Sequence, residues 1–538
     1  MLKRIFFPFM LLVCLALPGQ ANESLIDFAE FDAYVEKSMQ DWLVPGAAIA
    51  IVKDGKIVHL KTYGVRSLAT KKPVTPDTIF YLASLTKGFT AAVISRLVDE
   101  GKIQWDDKVR KYFPDFKIAD EQASAEFTIE DLLSHRSGLP GFAADSLVET
   151  GWAAKEVYQV LDKIPLKDPF RSVYNYQNIF PGIAGWIAAQ VSGLPLSELY
   201  ENYLFQPLHF SHTSIGQNGL TGGESWWIQL KKKINAYFAD RTDQYCQLDG
   251  KPLDIPGGNN ALYCFEASRG VNSSITDMAK WMIFQLNNGV EDGKSLISEA
   301  NIQRMRTSHI HVGAPQGGRL FPKERVKNIA YGMGWFIHDY DRLEVLSHMG
   351  GMTGTRSIIA IVPEEKVGIV VLSNMGGMRV SLFPEAIRSK FLDLYLKLPD
   401  QHDWSKELVS ESQASTLKIN QSRQSERLKN PTSERKIEAY VGVFHNDLYG
   451  TINVTSENGR LFINYRTLKV GLTHWNADDF SFQPNEFAKS YSGTDIGNAT
   501  FYITKSVSGI ETLLGVNLLQ EGADKIFHRQ SKGDATFR

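Results

Sequence analysis

The chain has 538 residues, of which 43% are hydrophobic and 22% are charged, and its formal net charge is −2. This composition is typical of a globular protein with a sizeable core, and the length suits two or three domains. The near-neutral charge offers no electrostatic attraction for nucleic acid or for an anionic membrane surface, so we expect neither as a partner.

The N-terminal residues have the pattern of a secretion signal. Two basic residues, Lys3 and Arg4, precede an apolar stretch from Ile5 to Leu17, and small residues follow it. This pattern predicts a signal peptide over residues 1–21 and export to the periplasm or the medium. The alternative is an N-terminal membrane anchor, although the apolar stretch is short for a bilayer span. We expect no stable membrane span in the mature protein.

Removal of the signal leaves two cysteines, Cys246 and Cys264. An even number in an exported protein permits a disulfide, which would stabilise the fold by about 3 kcal/mol in the chain-entropy model. Two buried free thiols are the alternative. Neither cysteine lies near a motif for catalysis or metal binding.

The mature chain is predicted to begin with a helix and a hairpin. The helix is expected around Phe28 to Trp42, and two β-rich runs follow over 47–52 and 57–64. The two runs are separated by Asp54-Gly55, and Asp-Gly in this position is a strong hairpin signal.

Ser84 and Lys87 open the next predicted helix. Apolar residues recur at helical spacing from Leu85 to Leu97, and the pattern stops at Gly101, a residue typical of a helix C-terminus. Residues i and i+3 share a helix face, so the Ser84 hydroxyl and the Lys87 amine can meet. The helix N-terminus adds free N–H groups and the positive end of the helix dipole. The pair is therefore a candidate activated nucleophile, although a single Ser-x-x-Lys match is common among ordinary surface residues.

The following segments predict an α+β domain that ends near residue 398. Thr128 is a capping residue with an acid three positions later, and three β-rich runs joined by turns predict an antiparallel meander. The region 216–258 is irregular and rich in Gly, Asn and Asp, which leaves open a lid or an insertion. Helices are expected over 179–191, 195–204, 274–287 and 382–396, and the meander over 343–348, 357–362 and 367–372.

The C-terminal part has a different composition. Residues 399–436 are rich in Ser, Gln, Lys and Glu, which predicts a polar linker, in part helical. Period-two alternation then indicates a small all-β domain, a barrel or a sandwich, over 437–538. The predicted division is thus a signal peptide over 1–21, a first domain over 22–398, the linker and the β-domain.

Tyr176 and Asn178 form a second candidate motif just before a predicted helix. A phenol beside a cationic lysine can be held as phenolate, or near it, and can pass protons to and from a leaving group. An amide two residues later lies on the same side of an extended segment and can bind Lys87 and a substrate carbonyl together. A turn with a packed tyrosine is the alternative.

A third motif is His348, Gly350 and Gly351 at the end of a β-run. Glycines there let a substrate backbone approach the strand edge, and a backbone N–H can act as an oxyanion donor. An ordinary turn is the alternative. We interpret the block from Leu132 to Pro140, whose chemistry is not evident, as scaffold that lines the site.

Taken together, Ser84-x-x-Lys87, Tyr176-x-Asn178 and His348-x-Gly350 resemble, in this order, the motifs of the serine β-lactamase and penicillin-binding protein superfamily. Tyr176 is similar to the class C branch, and His348 to relatives such as D-aminopeptidases and carboxylesterases. The likeness covers about 28–396, and the residues after Tyr440 resemble the lipocalin-like β-barrel that some members carry. It implies an α+β fold with an antiparallel sheet flanked by helices, an all-helical lobe, the site between them, and a small C-terminal all-β barrel.

The resemblance also implies roles for the motif residues. Ser84 would attack a carbonyl, Lys87 and Tyr176 would share the general-base work, and Asn178 would orient Lys87 and the substrate. His348 would line the far wall, and the oxyanion would lie between the Ser84 N–H and an N–H near Gly351. No metal or organic cofactor is implied.

One departure bears on the substrate. β-Lactamases usually have a lysine in the third motif, and its ammonium attracts the substrate carboxylate. His348 is largely neutral at pH 7, because the ordinary pKa of histidine is near 6.5. Esters or D-amino-acid peptides are therefore expected rather than penicillin-like anions.

The expected function is that of an exported serine hydrolase that cleaves an ester or amide of a small molecule or peptide through a Ser84 acyl-enzyme. The alternatives are a weak β-lactamase and a non-catalytic sensor that binds cell-wall peptides, with the C-terminal domain as its recognition part. In a further alternative, the C-terminal domain gates the cleft. The sequence leaves the oligomeric state open.

Overall fold

The computed structural model describes residues 25–216, 240–248, 251–254, 263–313, 320–376, 381–399, 402–426, 435–482, 497–506, 509–516 and 526–530. The predicted signal peptide, residues 1–21, lies outside this set, as does much of the region 216–258. No single helix among the described residues is long and apolar enough to cross a membrane. The helices 179–192 and 196–205 form a bent pair that, taken together, is long and apolar enough to cross a membrane. This statement rests on length and composition only.

The first domain contains short and long strands in alternation with helices. Its strands are β1 (Gly46–Lys53), β2 (Lys56–Gly64), β3 (Phe80–Tyr81), β4 (Ser214–Ile215), β5 (Tyr245–Leu248), β6 (Lys251–Asp254), β7 (Val271–Ser273), β8 (Val290–Glu291), β9 (Lys294–Ser295), β10 (Ile310–His311), β11 (Val326–Tyr331), β12 (Phe336–Tyr340), β13 (Leu343–Met352), β14 (Thr355–Val362) and β15 (Val367–Ser373).

The helices are α1 (Phe28–Asp41), α2 (Thr86–Asp99), α3 (Glu121–Glu126), α4 (Ile129–Leu133), α5 (Asp145–Glu149), α6 (Ala154–Tyr158), α7 (Ile179–Ser192), α8 (Leu196–Tyr200), α9 (Glu266–Arg269), α10 (Ile275–Leu286), α11 (Glu299–Arg306), α12 (Phe383–Tyr395) and α13 (Trp404–Glu426). The helices between α2 and α9 form the predicted helical lobe.

The main sheet is antiparallel and, within the described residues, has eight strands in the order β10-β11-β12-β13-β14-β15-β1-β2. The predicted hairpin is present, with Lys53 opposite Lys56. Its turn has Asp54 at φ +49° and Gly55 at φ +73°, the left-handed pair that a two-residue hairpin turn requires. The predicted meander is also present as β13, β14 and β15, and β15 then pairs with β1.

Both faces of the central strands are buried, which explains why β1 is apolar from Gly46 to Val52. Ala48 and Ala50 face a core shared with α2, α10 and the helical lobe, whereas Ile49 and Ile51 face a second core formed with α1 and α12. In the first core Phe89 of α2 stacks on Trp281 of α10, with ring centroids 4.2 Å apart. The N-terminus of α2 is thereby held between the sheet and the lobe.

The block after Thr128 begins with the predicted cap. The Thr128 side chain accepts from the Asp131 N–H, and the Asp131 carboxylate accepts from the Thr128 N–H at 2.9 Å. Asp131 is fully buried and also accepts from Arg136 Nε at 2.6 Å and Arg171 Nε at 3.0 Å. Burial raises the pKa of Asp131, but the two guanidinium groups outweigh it and the net pKa is lowered. Asp131 therefore joins this block to the segment that leads to Tyr176.

The predicted polar linker contains helix α13, which packs on α1 and α12. Its first residue, Trp404, is buried, and the Trp404 indole N–H donates to Asp393 Oδ2 at 2.8 Å. The first half of the linker is thus part of the first domain, because one tryptophan at its start is buried in that core.

The C-terminal domain is all-β, as predicted. Its described strands are β16 (Gly442–Asn446), β17 (Gly450–Glu457), β18 (Arg460–Tyr465), β19 (Leu468–Gly471), β20 (Thr473–Asn476), β21 (Asp479–Phe482), β22 (Gly497–Ser506), β23 (Gly509–Val516) and β24 (Ile526–Arg529). They form one antiparallel sheet that curls into a half-barrel, in the order β19-β18-β17-β16-β24-β23-β22-β21-β20. A relationship to lipocalins stays a prediction.

The two cysteines are not bridged. Cys246 is a buried thiol in β5, and Cys264 is a partly buried thiol before α9. The structure therefore agrees with the second of the two alternatives, two thiols that form no disulfide.

We predict that Asp131→Asn destabilises the first domain by about 3 kcal/mol, because it leaves two guanidinium groups without their shared buried carboxylate. Urea unfolding followed by tryptophan fluorescence measures the change. Glu121→Gln is the matched control, since Glu121 pairs with Arg110 on the surface, and its midpoint should equal that of the wild type. Equal midpoints for both variants would contradict this account of Asp131.

Candidate active site

Ser84 lies in a tight turn that leads directly into α2. Residues Ala83–Leu85 form one turn of 3₁₀ helix, and Ala83 has φ +49°, a left-handed conformation that is strained for a residue with a side chain. Neighbouring groups hold this turn: the Leu82 N–H donates to Val271 O at 3.0 Å, and the Thr86 hydroxyl donates to Ala83 O at 2.6 Å. The Ser84 side chain is half-buried, so it remains accessible at the start of the helix.

The Lys87 amine lies beside the Ser84 hydroxyl, as predicted. Lys87 Nζ is 3.3 Å from Ser84 Oγ, 2.7 Å from Asn178 Oδ1 and 3.0 Å from Ser268 O. A neutral amine has two N–H groups and one lone pair. Because the amide oxygen and the carbonyl oxygen accept the two N–H groups, the lone pair is left for the Ser84 proton.

The surroundings of Lys87 favour this neutral form. The side chain is only 1% exposed, and burial, with the nearby Arg269 guanidinium, lowers its pKa well below the ordinary 10.5. The carboxyl group of Asp145 acts in the opposite direction but does not reverse the shift. Lys87 is therefore better suited to act as a base than an exposed lysine would be.

Tyr176 faces both members of this pair. Its ring centroid is 4.6 Å from Lys87 Nζ, and its hydroxyl interacts with the Ser84 side chain. Burial raises the pKa of the phenol above 10, although the interaction with Ser84 opposes the change. The raised pKa favours the protonated phenol in the resting site, in contrast to the phenolate that the sequence led us to expect.

Asn178 is oriented by a buried acid that the sequence analysis missed. The Asn178 Nδ2–H donates to Asp145 Oδ2 at 2.7 Å, which turns the amide oxygen toward Lys87. Asp145 is in turn 3.7 Å from the buried guanidinium of Arg269. Burial raises the pKa of Asp145, and Arg269 opposes that effect. Asp145 and Arg269 belong to no recognisable sequence motif. The sequence could not predict the contact between Asp145 and Asn178, because only the tertiary fold brings these two residues together.

His348 lies beside Tyr176, with ring centroids 6.4 Å apart, and is buried from solvent. The side chain is 2% exposed, its Nδ1 lies 2.8 Å from Met349 O, and its Nε2 lies 3.1 Å from the Tyr331 hydroxyl. These contacts fit a neutral ring that donates from Nδ1 and accepts at Nε2. Burial and the neighbouring Lys87 lower the pKa of His348 to about 3. The imidazole is thus uncharged at neutral pH and both its nitrogens are engaged.

A second histidine, His135, comes from the block interpreted as scaffold, and it does line the site. Its ring centroid is 4.5 Å from that of Tyr176 and 4.6 Å from that of Tyr331. His135 Nδ1 accepts from the Gln177 N–H at 3.2 Å, and burial lowers the pKa of the ring well below 6.5. This contact fixes the segment that carries Tyr176 and Asn178.

Gly350 and Gly351 are needed for contacts within the protein. A Cβ atom on Gly350 would lie 2.1 Å from Leu82 O, so its absence lets β13 approach the Ser84 turn. A Cβ atom on Gly351 would lie 2.3 Å from the Arg356 guanidinium. The pairing of β12 with β13 ends at Ser347, so the edge of β13 from His348 onward is not covered by β12 and faces the Ser84 turn. This edge can present N–H groups to a substrate.

The rim of the site next to the nucleophile is apolar and aromatic. Ala83 and Met352 form a small cluster with Tyr81 and Tyr263. The rings of Tyr81 and Tyr263 are 6.5 Å apart. These side chains offer contact area to an apolar or aromatic group rather than a charge to an anion.

One group of metal-ligand side chains occurs within the described part of the chain. The ligand atoms of His209, Glu291 and Asp292 lie within 4.8 Å of one another, on a partly exposed surface. Exposed acidic groups of this kind are common without an ion, and we assign none to it.

Comparison with known proteins agrees with this geometry. Residues 31–386 match the family described as Beta-lactamase, and residues 426–516 match a domain of unknown function, DUF3471. Among curated proteins, the chain is 29% identical over 410 residues to the unguisins hydrolase of Aspergillus violaceofuscus. The matched region covers 71% of this chain and 68% of that protein. It is 26% identical to the protein flp of Staphylococcus aureus, covering 68% of this chain and 66% of that protein.

Solved structures show the same fold at low identity. The octameric penicillin-binding protein homologue from Pyrococcus abyssi superimposes with a TM-score of 0.56 and 22% identity, covering 94% of this chain and 100% of that chain. The class C β-lactamase from Rhodobacter sphaeroides gives a TM-score of 0.51 and 20% identity, covering 68% of this chain and 98% of that chain. Because the family match extends over more than half of the sequence, the chain belongs to the Beta-lactamase family and has the fold of its serine hydrolases.

Proposed function

We propose that this protein is an exported hydrolase that cleaves an ester or an amide, D-amino-acid peptides included, through an acyl-enzyme on Ser84. One observation carries the proposal. The buried Lys87 amine lies 3.3 Å from Ser84 Oγ, while both of its N–H groups have acceptors elsewhere. Export rests on the pattern of residues 1–21 alone.

In the first step, the Ser84 O–H transfers its proton to the Lys87 lone pair as Oγ attacks the substrate carbonyl carbon. The carbonyl oxygen becomes an oxyanion, which we assign to the Ser84 N–H and an N–H on the uncovered edge of β13, near Gly351. Collapse of this intermediate breaks the bond to the leaving group and forms the ester of Ser84.

The leaving group needs a proton, and Tyr176 is suited to supply it. The phenol is protonated at rest, faces Ser84, and lies beside the amine that has just become an ammonium. Donation from Tyr176 to the leaving group, with reprotonation from Lys87, returns both residues to their starting forms. Water then attacks the acyl-enzyme, and the same two groups act in reverse.

The neutral His348 ring and the apolar rim support a neutral acyl group as the substrate. His348 is neutral and engaged in two hydrogen bonds, so it offers no ammonium to a substrate carboxylate. The apolar rim of Tyr81, Tyr263 and Met352 favours contact with an apolar or aromatic side chain. The similar Aspergillus protein is named as a hydrolase of unguisins, which supports hydrolysis without transferring that substrate to this chain.

We predict that a fluorophosphonate probe adds one adduct to the wild type and none to Ser84→Ala, and that ester turnover falls at least about a thousandfold in the variant. Intact-mass spectrometry and a p-nitrophenyl ester assay measure the two effects. Ser95→Ala is the control, because Ser95 is on the same helix and donates only to Ala91 O. Equal labelling of Ser84→Ala and wild type would contradict the assignment of the nucleophile.

We predict that kcat/KM rises with pH as Lys87 loses its proton, and that this rise occurs at a pH well below the ordinary pKa of a lysine amine. The sign follows because the neutral amine is the active form and its pKa is lowered by burial and by Arg269. The other groups that face Lys87 are Asp145, His135, His348 and Tyr176.

The variant Tyr176→Phe shows whether Lys87 or Tyr176 is the general base. It should lower kcat/KM by about a hundredfold or more while leaving this rise at the same pH. A rise that moves to another pH with Tyr176→Phe would instead make the phenol the base.

We predict that neutral p-nitrophenyl esters or D-alanyl amides are hydrolysed at least about tenfold faster, in kcat/KM, than the anionic β-lactam nitrocefin. Steady-state rates of the mature protein decide the order. Faster turnover of nitrocefin would favour the weak β-lactamase. Stoichiometric acylation without turnover of any of these substrates would favour the sensor.

A further inference from the structure

The C-terminal sheet contacts the helical lobe through the turn between β18 and β19. The Trp152 indole N–H donates to the Tyr465 hydroxyl at 2.9 Å, and both residues are buried. The Tyr465 hydroxyl donates in turn to Tyr449 O at 2.8 Å, so it is fixed within its own sheet. The Thr467 hydroxyl donates to Thr150 O at 3.4 Å.

Further contacts make this junction close. The Arg466 guanidinium lies 4.1 Å from the centre of the Trp152 ring and pairs with Glu156 at 2.8 Å. Gly151 has φ +100°, and a Cβ atom there would lie 2.6 Å from the Thr467 hydroxyl oxygen. The turn therefore rests directly on the backbone of residues 150–152.

Residues 150–152 directly follow α5, and Asp145 is the first residue of that helix. The Thr150 N–H donates to Ser146 O and Leu147 O, so the end of the helix is tied to its first turn. Leu147 and Val148 are buried in the lobe. A contact at residue 150 thus fixes the position of Asp145 through one short hydrogen-bonded segment.

Few other contacts position the Asp145 carboxyl group. Its Oδ2 accepts from Asn178 at 2.7 Å and lies 3.7 Å from Arg269, whereas its Oδ1 has no hydrogen-bond partner in the part of the chain that the structure describes. Since Asn178 also binds Lys87 at 2.7 Å, a shift of α5 would be passed to the amine.

We propose that Tyr465 is a positioning residue for Lys87, acting through Trp152, α5, Asp145 and Asn178, so that the C-terminal sheet is a structural part of the active site. This inference rests on the proposed function, because it assumes that Lys87 is the base. It differs from gating of the cleft: the sheet acts on the lobe behind the site, and no movement is required.

The test compares Tyr465→Phe with Tyr440→Phe in the full-length protein. Both remove one hydroxyl from a buried tyrosine of the same sheet, but Tyr440 donates to Asp478 within the sheet and is outside the junction. We expect Tyr465→Phe to lower kcat by about tenfold with KM changed less than about twofold, because a small displacement of a catalytic group has a large effect on rate. Tyr440→Phe should stay within about twofold of the wild type.

Arg466→Ala provides a second variant that does not depend on a buried side chain. It removes the contact with Trp152 and Glu156 and should lower kcat by about threefold. Its control, Lys469→Ala, removes an exposed cation that pairs with Glu457 inside the sheet. Thermal unfolding of all four variants shows whether each is folded.

A double-mutant cycle connects the junction to the site. If Tyr465 acts through Asp145, then Tyr465→Phe should have at most about a threefold effect in an Asp145→Asn background, less than its effect alone. Wild-type kcat in both junction variants, or effects of Tyr465 and Asp145 that multiply, would overturn the proposal. Failure of the proposed function itself is distinguishable, because then Ser84→Ala would keep its label and its activity whatever the junction variants do.

Discussion

The site depends on one buried amine whose surroundings favour its neutral form. Lys87 is almost completely removed from solvent, and the cost of burying a charge lowers the pKa of its amine. The carbonyl of Ser268 and the amide of Asn178 then orient the lone pair by accepting both N–H groups. An exposed lysine at the same distance from Ser84 would be an ammonium and would have no lone pair to offer.

The same constraint organises the neighbours of Lys87. Burial favours the neutral forms of His135 and His348, and hydrogen bonds at His135 Nδ1 and at His348 Nδ1 fix the two rings to the surrounding segments. Burial also favours the protonated form of Tyr176. The charged pair Asp145–Arg269 lies behind Asn178, and Asp145 orients the Asn178 amide.

Local sequence rules predicted the elements that carry the motifs. The hairpin at Asp54-Gly55, the cap at Thr128 and the helix after Ser84 all follow from short-range chemistry, and the structure contains each of them. The spacing of Ser84 and Lys87 also predicted their contact, since both residues belong to one helical turn.

The sequence could not reveal contacts that only the tertiary fold creates. Asp145 lies in a segment without a motif, and its relation to Asn178 appears only when two parts of the lobe pack together. The protonation state of Tyr176 depends on its burial, which no local pattern encodes. Gly350 was interpreted as making room for a substrate, whereas in the fold it makes room for the carbonyl of Leu82. Trp404 shows the same limit, because the polar composition of its segment gave no sign that Trp404 and Leu408 return to the core.

The junction at Trp152 also has a consequence for biosynthesis. Thr150 and Thr467 are 317 residues apart, so the ribosome completes the lobe long before it makes the turn that covers it. At ordinary translation speeds this interval is on the order of 20–60 s. During that time the Trp152 indole N–H lacks its acceptor in the C-terminal sheet, the Tyr465 hydroxyl, which is supplied only when β18 has been made.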